Sequence, residues 1–201
     1  MNKIGIVGVI LALIGLLLPW WEIDLSARET TNGKTVTISA SISVFLYQIS
    51  SKNFNPPQTI TIDAIPFILF VLPLIFISIS LGLTGCLIND EKKEKVLLIS
   101  AGSLMMLSTV IFAFALQVEL LTSPPAPYFF FYYPEREPPY SLVPIPKVGI
   151  FSNGTSTFEG VSMNYSSYLS IGFWLTISAA IILLIASQRL SIYRALYKSS
   201  F

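Results

Sequence analysis

The sequence predicts a membrane all-α four-helix bundle capped by a small extracellular antiparallel β structure. Three observations predict it. Of 201 residues, 53% are hydrophobic and only 11% charged, whereas soluble domains carry roughly 25% charge. The apolar residues gather into four long runs, and crossing ~30 Å of hydrocarbon takes ~20 such residues. Between the runs lie two long segments that change to a two-residue period around an Asn-Gly pair, the strongest short signal for a β-hairpin.

The four expected spans cover residues 4–21, 64–88, 96–121 and 168–187. The first ends in Pro19-Trp20-Trp21, and the Trp pair is expected at the headgroup level, where aromatic rings concentrate. It lacks a small-x-small cleavage site at its end and is expected to be retained as a span. In the second, Pro66 falls in the first turn, where a missing N–H costs little, and the deeper Pro73 is expected to kink the helix. No charge occurs between Asp63 and Asp90 or between Lys95 and Glu119. Beyond the fourth span, Leu190, Tyr193, Leu196 and Tyr197 keep helical spacing, so the helix is expected to run on with its basic residues at the interface.

Lipid gives helices no hydrophobic reason to associate, so small residues mark their contacts. Gly5, Gly8, Ala12 and Gly15 form one such stripe. It packs either within the bundle or against another subunit.

After Trp21, Ile23, Leu25 and Ala27 alternate with polar residues. Beyond Asn32-Gly33, Val36, Ile38, Ala40, Ile42 and Val44 do the same. This predicts a hairpin with strands near 22–30 and 35–44. Residues 45–51 are either further strand or a short amphipathic turn. In the second long segment Asn153-Gly154 is read as the turn of another hairpin. A lone hairpin is marginal in water, so a sheet shared by both segments is expected.

Residues 123–147 hold eight prolines, which exclude a helix or central strand. They also hold the aromatic run Tyr128, Phe129, Phe130, Phe131, Tyr132 and Tyr133. Such a patch needs a cover: lipid, a partner protein, or the protein's own sheet.

Orientation follows from the basic residues. Lys3, Lys92, Lys93, Lys95, Arg189, Arg194 and Lys198 gather in short segments on one side. Both termini, loop 89–95 and tail 188–201 are therefore expected to be cytoplasmic at the cell membrane. Loops 22–63 and 122–167 face outward. The sequons at Asn153 and Asn164 fall on that outer side as possible glycosylation sites.

Catalytic signals are sparse. The chain has no histidine and a single cysteine, Cys86. That excludes an intrachain disulfide, a cysteine metal cluster and the Ser-His or Cys-His pair. Cys86 reads as a packing residue. Neither a phosphate loop nor a metalloprotease or hydrolase motif occurs, and the net charge of +1 gives no basis for nucleic-acid binding. No cofactor or metal is expected. Glu119, near the outer end of the third span, is the possible ion or proton site, since carboxylates at membrane depth are functional candidates. The simpler reading makes it an interface residue reaching water, Arg136 or Lys147. Asp63, at the start of the second span, reads as a helix cap.

At the end of the first span, Leu18-Pro19-Trp20-Trp21 resembles the Leu-Pro-x-Trp segment of the claudin and peripheral-myelin-protein superfamily. That resemblance implies four spans with both termini inside, a β-structured first outer loop, a hairpin in the second, and an outer sheet that makes contacts. The cysteine pair of that family's first loop is absent here.

Together these readings give the expectation of a non-catalytic accessory subunit or cell-surface scaffold. It would contact membrane lipid and a membrane or surface protein, or a second copy of itself. The alternatives are a transport or channel component using Glu119, and a non-catalytic subunit of a membrane enzyme.

Overall fold

The computed structural model describes residues 2–29, 35–43, 47–51, 65–122, 129–130, 142–143, 149–158 and 161–198. In these residues the chain is mostly helical. The helices are α1 (Lys3–Leu17), α2 (Ile65–Leu87), α3 (Glu91–Thr122) and α4 (Ile171–Lys198). Three of them, α2, α3 and α4, are long and apolar enough to cross a membrane, whereas α1 has 15 residues. Helix α1 packs on α4 and α2, and α3 packs on α2 and α4.

Small and hydroxyl side chains fill the space between the helices. Ala12, Ser78, Ala101, Ser108, Thr109, Thr176, Ala179 and Ala180 are buried, while Val7, Leu17, Phe70, Val110, Phe114 and Ile185 lie exposed on the outer faces. Larger apolar side chains, among them Ile75, Leu98, Met105 and Leu183, are buried with them, so the helices expose large apolar groups outward as well as burying them. Buried hydroxyls satisfy themselves on nearby carbonyls: Ser78 Oγ donates across helices to Ala101 O, and Thr176 Oγ1 donates to Gly172 O one turn back.

The strands are β1 (Pro19–Glu29), β2 (Thr35–Ser43), β3 (Tyr47–Ser51), β6 (Ser152–Phe158) and β7 (Val161–Leu169), with a two-residue ladder between β4 (Phe129–Phe130) and β5 (Leu142–Val143). The five longer strands form one antiparallel sheet, in the order β3-β2-β1-β7-β6. The central β1–β7 pairing joins the two segments that separate the helices, from Trp21↔Leu169 to Glu29↔Val161. Neither hairpin has to stand alone.

Period two makes the sheet two-faced. Through the register, one face takes Glu22, Asp24 and Ser26 of β1, Asn164, Ser166 and Tyr168 of β7, and Asn153, Thr155 and Thr157 of β6. The opposite face takes Trp21, Ile23 and Leu169, which are buried.

Several boundaries differ from the sequence reading. The first helix ends at Leu17 rather than Trp21, because Pro19 and the alternation after it start a strand while the composition is still apolar. Trp20 and Trp21 are 0% and 4% exposed, so they lie inside the protein rather than at its surface. Asn153-Gly154 is strand, not turn. Gly154 sits opposite Tyr165 in the register, and a Cβ there would lie 2.5 Å from Tyr165 Oη. The glycine makes room for a ring across the sheet. Helix α3 starts at Glu91, shortening the connection after α2: Asp90 Oδ1 accepts from the amides of Lys92 and Lys93 as an N-cap. Tyr168 belongs to β7, and α4 starts at Ile171 and continues to Lys198. The Asn32-Gly33 turn and Asp63 lie outside the described residues.

Candidate functional site at the helix-sheet junction

The chain passes from α1 into β1 without a loop, and the residues that allow this form the most highly constructed part of the molecule. A helix ends with carbonyls that have no intrahelical partner. Here Trp20 Nε1 donates to Gly15 O at 2.9 Å, so the indole closes the end of α1. The pairing of β1 and β2 slips between Pro19 and Trp21, as at a bulge, and Trp20 is the extra residue. Its ring packs edge-on against Phe112 of α3 (centroids 5.0 Å apart) and Phe173 of α4 (5.9 Å). Such pairs contribute about 0.5–1.5 kcal/mol each beyond the area they bury.

The backbone of Trp20 also holds α4. Ser170 N donates to Trp20 O at 2.9 Å, extending the β1–β7 ladder to the first turn of that helix. Gly172 then passes the end of α1 so closely that a Cβ would lie 2.5 Å from Leu18 O and 2.6 Å from Pro19 O. Only glycine permits that approach.

Trp21 and Gln117 secure the return from α3. Trp21 Nε1 donates to Ile150 O at 3.3 Å, and Ile150 N donates to Gln117 Oε1 at 2.9 Å. Both backbone polar groups of the buried Ile150 are thereby satisfied. Ser167 Oγ donates to Gly149 O at 2.7 Å and fixes the same segment to β7.

On the polar face, Tyr168 Oη donates to Asp24 Oδ2 at 3.3 Å. Partial burial of the ring, followed by the Glu22 and Asp24 carboxylates beside it, pushes the phenol up to about 12. Asn153, Thr155 and Asn164 are exposed on this face. Among the described residues no group of three or more potential ligands is placed to hold a metal ion.

The other sequence candidates lie as follows. Gly5, Gly8, Ala12 and Gly15 are all buried. Gly8 abuts Ala179, Ile182 and Leu183 of α4, Gly15 abuts Gly172 and Thr176, and Gly5 meets Cys86 and Leu98. The stripe thus faces the chain's own helices. Cys86 is fully buried there. Glu119 lies in the last turn of α3, and its side chain lies outside the described residues, as do Arg136 and Lys147. Phe129 and Phe130 form β4, while Tyr128, Phe131, Tyr132 and Tyr133 lie outside the described residues.

Sequence reasoning missed Asn2 and the role of Gln117. Asn2 is 3% exposed, at the far end of α1 from the sheet. Its Oδ1 accepts from Gly5 N at 3.0 Å, and its Nδ2 donates to Glu94 Oε1 at 2.8 Å and to Ala186 O at 3.2 Å. Its backbone N donates to Cys86 O at 2.9 Å. One residue therefore ties all four helices. An Asn directly before an apolar run is an N-cap signal, but its long-range bonds have no signature in sequence. No family model and no curated protein matches the chain.

Proposed function

We propose that the chain is a non-catalytic multi-pass protein of the cell membrane. Its sheet stands on the non-cytoplasmic side and presents a contact surface to a membrane or surface protein, as an accessory subunit or scaffold would. The observation that carries this reading is the pairing of β1 with β7. It fuses the segments between the helices into one rigid sheet and fastens that sheet to the helix ends through Trp20, Trp21 and Gln117.

The membrane part rests on three helices long and apolar enough to cross a bilayer and on the many large apolar side chains they expose outward, with small residues at several helix contacts. Helix α1 fits it despite its length. Fifteen residues rise ~22 Å, and residues 18–21, extended at ~3.3 Å each, supply the remainder of a ~30 Å crossing. Orientation rests on Lys3, Lys92, Lys93 and Lys95, which lie at the end away from the sheet. The non-catalytic part rests on how buried polar side chains are used: Asn2, Ser78, Ser167, Thr176 and Ser187 all bond structural groups of the chain itself.

The test is purification of the full chain from its own membranes in mild detergent after brief crosslinking. A stoichiometric membrane-protein partner or a homo-oligomer is expected. Replacing residues 129–133 with serine should abolish it if the aromatic run is the contact. A lone monomer would overturn the reading, and a proton or cation flux lost in Glu119→Gln would replace it with the transport alternative.

A further inference from the structure

We infer that Asn153 and Asn164 are a paired N-glycosylation site, interlocked across β6 and β7 on the polar face of the sheet. The inference rests on the proposed orientation of the sheet.

Each sequon needs an Asn and a hydroxyl two residues later. In a strand, residues two apart share a face. Asn153-Gly154-Thr155 and Asn164-Tyr165-Ser166 therefore each present their two recognition side chains together. The register sets the two sequons head to tail: Asn153 lies opposite Ser166, and Thr155 opposite Asn164. Four recognition residues thus form one block, with the asparagines at diagonal positions ~7–8 Å apart. Both asparagines and Thr155 are exposed, and Ser166 is half-buried. The middle residues point to the opposite face, where Gly154 and Tyr165 pack on each other. They leave nothing bulky between the asparagines. In addition, β6 is an edge strand of the sheet among the described residues. Sequons buried in the sheet or turned to its apolar face would have ruled out the modification.

The donor class is a lipid-phosphate-linked oligosaccharide, used by a membrane transferase. The Asn amide nitrogen forms a bond to C1 of the first sugar, and the C1–O bond to phosphate breaks. The lipid phosphate leaves, and one amide proton is lost to a base. The glycans would cover the polar face around β6 and β7, leaving the β3 edge for protein contact.

The test is the intact mass of the full chain from its native membranes, with peptide masses across residues 149–170. Two glycan increments are expected. Asn153→Gln and Thr155→Ala should each remove one, and Asn164→Gln and Ser166→Ala the other. The hydroxyl variants retain the asparagines and keep the test independent of their folding role. A mass equal to the bare polypeptide, or a single increment, overturns the paired site. In parallel, Thr157→Cys, exposed on the same face, is treated on intact cells with a membrane-impermeant maleimide; the native Cys86 is buried. Labelling without added mass defeats the glycan inference and leaves the orientation standing. Absence of labelling together with the mass of the bare polypeptide defeats both.

Discussion

The two ends of α1 face the same problem and solve it with different chemistry. At the Asn2 end, free amides and carbonyls of several helices converge beside short, charged connections. A compact amide satisfies them, donating to Glu94 and Ala186 and accepting from Gly5. At the Trp20 end the chain must turn into a strand at once. There an indole both takes the free Gly15 carbonyl and fills the space between Phe112 and Phe173. The first end is held by several side-chain bonds of defined geometry and the second by the bulk of the indole plus its single side-chain bond. The difference teaches what each end tolerates: one is sensitive to polarity, the other to volume.

Mutation can break this contrast, and the largest effect is expected at the aromatic end. Trp20→Ala should lower stability by about 3–5 kcal/mol, the usual cost of emptying a large aromatic site. Trp20→Phe keeps most of the volume and should cost only about 1–3 kcal/mol, for the unpaired Gly15 carbonyl. Thermal unfolding in detergent, followed by circular dichroism, measures both; equal losses would show that volume does not dominate there.

Asn2→Ala should cost about 2–3 kcal/mol, combining a lost cap with an unsatisfied buried partner. Asn2→Leu, which restores volume but not polarity, should give no rescue. If it does rescue, the two ends obey the same rule. Gly172→Ala should cost about 1–3 kcal/mol through overpacking. It should also raise hydrogen exchange at the Ser170 amide, because the added methyl meets backbone carbonyls that cannot turn aside.

The smallest effect concerns the polar face, away from both ends. The phenol of Tyr168 is raised to about 12 from 10.0 in the folded protein. The folded state therefore holds this proton more tightly than the unfolded state. The associated stability is fully present below pH 10 and is lost as the pH rises towards 12. Tyr168→Phe should remove this alkaline component and delete a step near pH 12 from the tyrosinate absorbance titration. Loss of a step near pH 10 instead would show that burial and the Glu22 and Asp24 carboxylates do not raise this phenol.

Much of this architecture was legible in the chain. The apolar runs located α2, α3 and α4, because ~20 apolar residues in succession have few other uses. Alternation located β1 and β2 to within a few residues, since only a two-faced sheet uses that period. The misplaced features share one cause. Trp20, Trp21 and Asn153-Gly154 were assigned by local preference, which favours tryptophan at interfaces and Asn-Gly in turns. Distant partners overrode those preferences: Phe112, Phe173 and Ile150 enclose the tryptophans, and Tyr165 needs the glycine opposite it.

By itself, the sequence determined that the chain has long apolar helices, that two intervening segments form strands, and that no histidine or cysteine-pair chemistry is present. Composition and period decide those matters, and both are local properties. The shared sheet was expected; the tertiary structure decided that β1 and β7 are the strands that join it, in what register, and that Asn2 binds four helices together. It also decided that a tryptophan beside the first apolar run is core rather than surface. Each of these depends on backbone groups and rings brought together from distant parts of the chain, as when Ser170 N meets Trp20 O. No local pattern in the sequence encodes which distant partner satisfies a given group.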